Sequence, residues 1–170
     1  MSRAFVNENS PKDDEPPMRP VSPGPNYVTP EGFKLLKTKA EELAGRRSAL
    51  LSDSDDPELR RKRLLIERDL IYFKTRLETA ILVDHTGKDF ADIRMGAIID
   101  ARDDSGKNYR FEITGEDEAE TGSGKLNCVS ALADALLGKK AGEQAVWESG
   151  DGRRLLTIIS VKYPPAGNSK

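Results

Sequence analysis

The sequence predicts an α+β protein in which an antiparallel α-helical coiled-coil hairpin is followed by a small antiparallel sheet with one short helix. One observation is the recurrence of apolar residues at spacings of three and four on both sides of an acidic turn that contains a proline. Another is that the second half consists of short β-branched runs separated by glycine-rich turns. With 170 residues, of which 33% are charged, the chain has room for one compact domain and a solvated appendage.

The hairpin is predicted over residues 29–83 from two narrow apolar stripes. Such a stripe, with charged residues elsewhere on the helix, is typical of a coiled-coil seam. Arg47 alone interrupts the first stripe. The arms are expected to run from Thr29 to Leu51 and from Pro57 to about Ala80, each about 30–36 Å long. The first stripe consists of Phe33, Leu36, Ala40, Leu43 and Leu50, and the second of Leu59, Ile66, Leu70, Phe73, Leu77 and Ala80.

Helix-start signals mark the beginning of each arm. Thr29 can cap the first arm and Asp56 the second, because each has a side-chain oxygen that can accept from a helix N-terminal amide. Each is also followed by a proline, which suits the first helical position. Asp53, Asp55 and Asp56 therefore form an acidic tip between the arms. The spacing of a calcium loop is missing, since Pro57 occupies the place of the third ligand, so the tip is not predicted to be a metal site.

A basic cluster, the collar, follows the tip directly. It consists of Arg60, Arg61, Lys62 and Arg63. One interpretation is a solvated helix face whose charge is offset by Glu67 and Asp69. The other is a surface for a partner that carries phosphate groups.

The rest of the chain divides by composition. Residues 1–28 contain six prolines among polar neighbours and are predicted to be a disordered arm, while residues 165–170 form a flexible tail. Residues 84–164 form the sheet domain, in which Ser130 and Gly138 flank the short helix 130–137. Its strands are predicted at 95–101, 108–115, 126–129, 145–148 and 155–163.

Several function classes are disfavoured. The single Cys128 excludes an internal disulfide, and the single His85, expected on the surface, leaves no Cys/His metal cluster. Residues 122–125 lack the spacing of a phosphate-binding loop and are predicted to be a turn. Neither half is basic enough for independent sequence-specific binding to DNA. The sequence has no apolar run that could span a membrane, and we expect a cytoplasmic monomer without a resident cofactor.

Several motifs, in order and at compatible spacing, resemble the GreA/GreB transcript-cleavage factors over roughly residues 27–163. Residues 27–32 read Tyr-Val-Thr-Pro-Glu-Gly at the hairpin entrance, and residues 95–97 read Met-Gly-Ala. The segments 109–119, 130–143 and 161–163 continue the resemblance through the sheet domain.

The resemblance implies an FKBP-like C-terminal domain that is not an isomerase. It implies that this domain docks on RNA polymerase, on the β′ subunit at the rim of the secondary channel, through Ser130, Ala131 and Leu132. The hairpin would enter the channel, where an acidic tip shares a Mg²⁺ ion with the polymerase active site. The protein itself would not be an enzyme.

Three departures from the family pattern change the expected function. The family's tip motif is absent, and Ala131 replaces a usual proline. The arms are also shorter by about a dozen residues in all, or about 9 Å of reach, reminiscent of the Rnk proteins. We therefore expect a regulator of initiation or elongation. A true cleavage factor that rescues backtracked complexes, and an Rnk-like interaction module with another partner, are the alternatives.

Overall fold

The computed structural model describes residues 15–50, 56–150 and 152–166. These residues belong to two compact units. The first unit combines the chain up to Pro23 with Leu36–Glu78, and the second combines Gly24–Leu35 with the chain from Thr79 onward. The division thus falls inside the first helix rather than at its start.

The two predicted arms are helices α1 (Pro30–Ala49) and α2 (Pro57–Glu78). Both predicted caps are confirmed. The Gly32 amide donates to Oγ1 of Thr29 at 3.1 Å, and the Glu58 amide donates to Oδ1 of Asp56 at 2.9 Å. These bonds satisfy helix N-terminal N–H groups that have no partner within the helix. None of the described helices is long and apolar enough to cross a membrane.

The first unit is held together by the predicted seam. Leu43, Ile66 and Leu70 are buried against one another. Leu59, by contrast, is 37% exposed. In an antiparallel pair that places Leu43 beside Ile66 and Leu70, the partner of Leu59 would lie beyond Ala49, where α1 has already ended. Phe33 is also 37% exposed, so the prediction that these two residues join a buried stripe is wrong.

The proline-rich arm is more ordered at its C-terminal end than predicted. The Arg19 guanidinium lies 3.8 Å from the ring centroid of Tyr72 and also 3.8 Å from the carboxylate of Asp69, within the first unit. Strand β1 (Asn26–Val28) pairs in parallel with strand β2 (Ala80–Leu82) in the second unit. The prediction of disorder is therefore wrong for 26–28, while residues 1–14 lie outside the described part of the chain.

The second unit contains a five-stranded sheet, and its order is β5-β4-β3-β7-β6. The predicted runs become β3 (Ile98–Asp103), β4 (Asn108–Thr114), β5 (Lys125–Asn127), β6 (Gln144–Ser149) and β7 (Gly152–Lys162). All pairs are antiparallel except β4 with β5, which is parallel. The expectation of an antiparallel sheet therefore fails only at this edge.

The short helix α3 (Ala131–Leu136) supplies the sheet's apolar cover. Its residues Leu132, Ala133 and Leu136 are buried in the same core as Ile99, Phe111, Ile113, Leu156 and Ile158 of the sheet. Cys128 packs at the edge of this core, and burial raises the pKa of its thiol. The predicted turn at 122–125 is confirmed by Gly124, whose φ of +78° suits glycine.

His85 is not the surface residue that the sequence suggested. Its imidazole is half-buried and makes edge contacts with the rings of Phe90 and Tyr163. Its Nδ1 lies 2.9 Å from the carbonyl oxygen of Met95, which can only accept, so Nδ1 carries the proton. The linker after β2 is therefore tied to the sheet domain.

Candidate functional site

The acidic tip is described only in part. Asp53 and Asp55 lie outside the described residues. Asp56 is exposed, and one of its carboxylate oxygens caps α2 through the Glu58 amide. A carboxylate at a helix N-terminus is stabilised by the positive end of the helix dipole. The geometry thus gives Asp56 a structural role at the start of α2.

The collar lies on the first two turns of α2. Arg60, Arg61 and Lys62 are exposed, whereas Arg63 is half-buried. Glu67 binds Arg47 at 3.2 Å, and Asp69 binds Arg68 at 2.8 Å. The two carboxylates that were expected to offset the collar thus bind other cations. Both interpretations of the collar stay predictions.

The three predicted docking residues have different environments around the start of α3. The Ser130 hydroxyl accepts from the Ala133 amide at 3.2 Å and is the N-cap of α3. Leu132 is only 8% exposed and belongs to the core, so its assignment to a contact surface is wrong. Ala131 is exposed. Val129, which the sequence did not single out, is 75% exposed.

A second site joins two of the motifs that carry the resemblance. The Glu118 carboxylate is buried and accepts hydrogen bonds from Thr29 and Gly115. Thr29 precedes α1, while Gly115 follows β4. Sequence reasoning missed this contact because 89 residues separate Thr29 from Glu118. The one available sequence signal was Glu118 itself, which follows the predicted strand 108–115 closely and lies in the segment 109–119 that carries the family resemblance.

A cavity of about 220 Å³ in the second unit adjoins Thr29. Its walls are mostly apolar, and its charged or titratable side chains are Glu31, His85 and Glu112. Burial raises the pKa of Glu112. Across the part of the chain that the structure describes, no group of three or more His, Cys, Asp or Glu side chains could hold a metal ion.

The described chain thus combines two packed helices with a small α+β unit in which Val129 and Ala131 are exposed at the start of α3. Known proteins match the chain in sequence. The family described as transcription elongation factor, GreA/GreB, C-terminal, matches residues 88–163. A transcription elongation factor GreA from Ralstonia nicotianae is 33% identical over 153 residues, which cover 80% of this chain and 96% of that protein.

Two further matches extend the comparison. A transcription elongation factor GreB from Neisseria meningitidis is 28% identical, with 81% of this chain and 94% of that protein covered. The solved GreA factor homolog 1 of Thermus thermophilus is 17% identical, with 82% of this chain and 99% of that chain covered and a TM-score of 0.39. On the sequence matches, the chain belongs to the GreA/GreB family of transcription elongation factors.

Proposed function

We propose that this protein binds RNA polymerase and regulates initiation or elongation with its hairpin in the secondary channel, acting as a cytoplasmic monomer without an activity of its own. Family membership supports the choice of polymerase as the partner. The observation that carries the proposal is the pair of packed helices, of 20 and 22 residues, which are separated in the sequence by the acidic residues of the tip. At 1.5 Å per residue these helices are about 30 and 33 Å long.

Regulation is proposed in preference to transcript cleavage on the capping role of Asp56 and on the arm lengths that the sequence predicts. A carboxylate that ligates Mg²⁺ directly must be placed to within a few tenths of an ångström. Asp56 uses one oxygen to cap α2, and the sequence resemblance predicts arms shorter than those of the family. Mg²⁺ retains several waters in most sites, so more distant carboxylates can act on it through water or through their field. The same field repels anionic nucleotides.

Docking is assigned to the second unit. Val129 and Ala131 are exposed at the start of α3, and a protein contact there would bury their apolar atoms. Leu132 is buried in the core of the same unit. We assign this surface to the β′ rim of the channel.

The test is a transcript-cleavage assay on stalled, backtracked polymerase, run beside an assay of RNA synthesis. Wild type is compared with the pair Asp53→Asn and Asp55→Asn. The matched control removes two exposed carboxylates from α1, Glu41→Gln and Glu42→Gln. We expect little stimulation of cleavage by any variant, and an effect on RNA synthesis that weakens only in the tip variant.

Two results would replace the proposal. Rapid Mg²⁺-dependent cleavage at molar parity with polymerase, lost in the tip variant, would establish a true cleavage factor. Failure of the full chain to co-purify with polymerase would instead favour an Rnk-like module with another partner.

A further inference from the structure

The carboxylate of Glu118 is the centre of a buried hydrogen-bond cluster in the second unit. Glu118 is 7% exposed and Thr29 is 5% exposed. Oε1 of Glu118 accepts from the Thr29 amide at 3.0 Å and from the Gly115 amide at 3.2 Å. Oε2 accepts from the Thr29 hydroxyl. One side chain therefore binds both the residue that starts α1 and the residue that ends β4.

The cluster stabilises a charge that would otherwise be costly to bury. An ionised carboxylate in an apolar setting is strongly destabilising unless hydrogen bonds replace its water shell. Here two amides and a hydroxyl supply that shell, and the dipole of α1 adds a favourable field. The Thr29 hydroxyl also accepts from the Gly32 amide, so the bonds run in series from α1 to Glu118.

Two glycines make the close approach sterically feasible. A Cβ added at Gly32 would overlap the carboxyl group of Glu118. A Cβ at Gly115 would press on the carbonyl oxygen of Tyr27. Gly115 has a φ of −72°, so space rather than backbone conformation requires glycine there. Gly32 and Gly115 therefore leave the space that the Glu118 carboxylate needs to reach Thr29.

We propose that Glu118 is a positioning residue that anchors the first turn of α1 to the end of β4. Through this anchor, polymerase contact by the second unit is coupled to the action of the hairpin. This coupling rests on the proposed function, whereas the anchor itself does not. Without the anchor, the second unit would still bind polymerase, but the first turn of α1 would lose its hydrogen bonds to Glu118 and keep the pairing of β1 with β2 and the ion pair between Glu31 and Lys125.

The anchor is tested without polymerase, by amide hydrogen exchange across residues 29–35 of the full chain. Glu118→Ala is compared with wild type and with Glu120→Ala, a control that removes an exposed carboxylate two residues away. Losing a charge-assisted hydrogen bond from a helix start should accelerate exchange at Gly32 and Phe33 by about tenfold or more. Unchanged exchange in Glu118→Ala would overturn the anchor.

Should Glu118→Ala fail to fold, Glu118→Gln takes its place. It keeps the side chain's size and one oxygen that can accept from the two amides, but it replaces with an NH₂ group the oxygen that accepts from the Thr29 hydroxyl. Exchange at Gly32 and Phe33 should then rise by less than in the alanine variant, and rates equal to wild type would again overturn the anchor.

The coupling is tested by measuring polymerase affinity and the maximal effect on RNA synthesis separately. Glu118→Gln and Thr29→Val should keep wild-type affinity but lose most of the maximal effect, while Thr29→Ser, which keeps the hydroxyl, should restore it. A purely structural role would instead lower affinity and effect together in proportion to the unfolded fraction, and that result would refute the coupling. If wild type has no effect on polymerase, the proposed function and the coupling both fail, and the exchange rates still decide the anchor.

Discussion

At the scale of single residues, Asp103 shows how one side chain fixes a turn of the sheet. Its Oδ1 accepts from the Ser105 hydroxyl at 2.6 Å, from the Ser105 amide at 3.0 Å and from the Lys107 amide at 2.9 Å. The Tyr109 hydroxyl donates to Oδ2 at 3.0 Å. These bonds, led by that of the Ser105 hydroxyl, lower the pKa of Asp103 to about 2.

A pH dependence follows from this lowered pKa. An unfolded aspartate has a pKa of about 3.9, so the ionised form of Asp103 is more stable in the folded state than in the unfolded state. The resulting stability is present above pH 4 and is lost as the pH falls toward 2. We expect Asp103→Asn to lower the free energy of unfolding at pH 7, and the difference from wild type to shrink toward pH 2. Urea unfolding at both pH values measures it, with the exposed Asp104→Asn as control.

The N-cap of α3 gives a second prediction at this scale. Ser130→Ala removes the acceptor for the Ala133 amide and should cost about 1 kcal/mol of stability. Ser130→Asp, which can still cap, should recover most of that loss. Thermal unfolding measures both. Equal stability in wild type and Ser130→Ala would contradict the capping role.

The proposed docking surface gives a prediction that depends on Val129. Because its side chain is 75% exposed, Val129→Asp should leave the free energy of unfolding almost unchanged. The same change should weaken co-purification with polymerase, since a charge would enter an apolar contact. Ile159→Asp, on β7, is the control because Ile159 is 50% exposed. Loss of binding in both variants, or in neither, would contradict the assignment of the docking surface.

At the scale of elements, the seam of the first unit determines the stability of the hairpin. Leu43 and Leu70 are 7% and 5% exposed. Changing either to alanine should lower the free energy of unfolding by about 2–5 kcal/mol, because it removes buried methyl groups and leaves a cavity. Urea unfolding followed by circular dichroism measures the loss.

Arg47 provides the contrasting case within the same element. It interrupts the apolar stripe but is exposed and binds Glu67 at 3.2 Å. A surface ion pair of this kind contributes about 0–1 kcal/mol. Arg47→Leu should therefore be neutral or stabilising in the same urea titration. A large loss at Arg47 with none at Leu43 would show that the stripe was assigned to the wrong face.

At the scale of the whole molecule, the sequence was informative wherever a contact repeats along the chain. The three-and-four spacing predicted the buried cluster of Leu43, Ile66 and Leu70 because adjacent helical turns contribute the same face. The strands β3, β4, β6 and β7 were predicted for the equivalent reason, as alternation leaves one sheet face apolar.

Contacts between single residues that are far apart in the sequence leave no periodic pattern from which they could be predicted. The register of Asn26 with Ala80 and the bond from Thr29 to Glu118 each involve residues whose partners depend on the completed fold. The docking residues expected from the resemblance were partly wrong, because a motif shows which residue types occur together but not which of their side chains are buried. Leu132 is in the core, while its neighbour Val129 is exposed.

The parallel pairing of β1 with β2 makes the hairpin an insertion between two adjoining strands. Residues paired across such strands lie about 5 Å apart, so the chain leaves and returns at neighbouring points of the second unit. Equal numbers of residues could therefore be added to or deleted from the two arms during evolution without displacing either attachment point. The same property makes residues 36–78 a natural segment to exchange, so that hairpins of different lengths can be grafted onto one unchanged second unit.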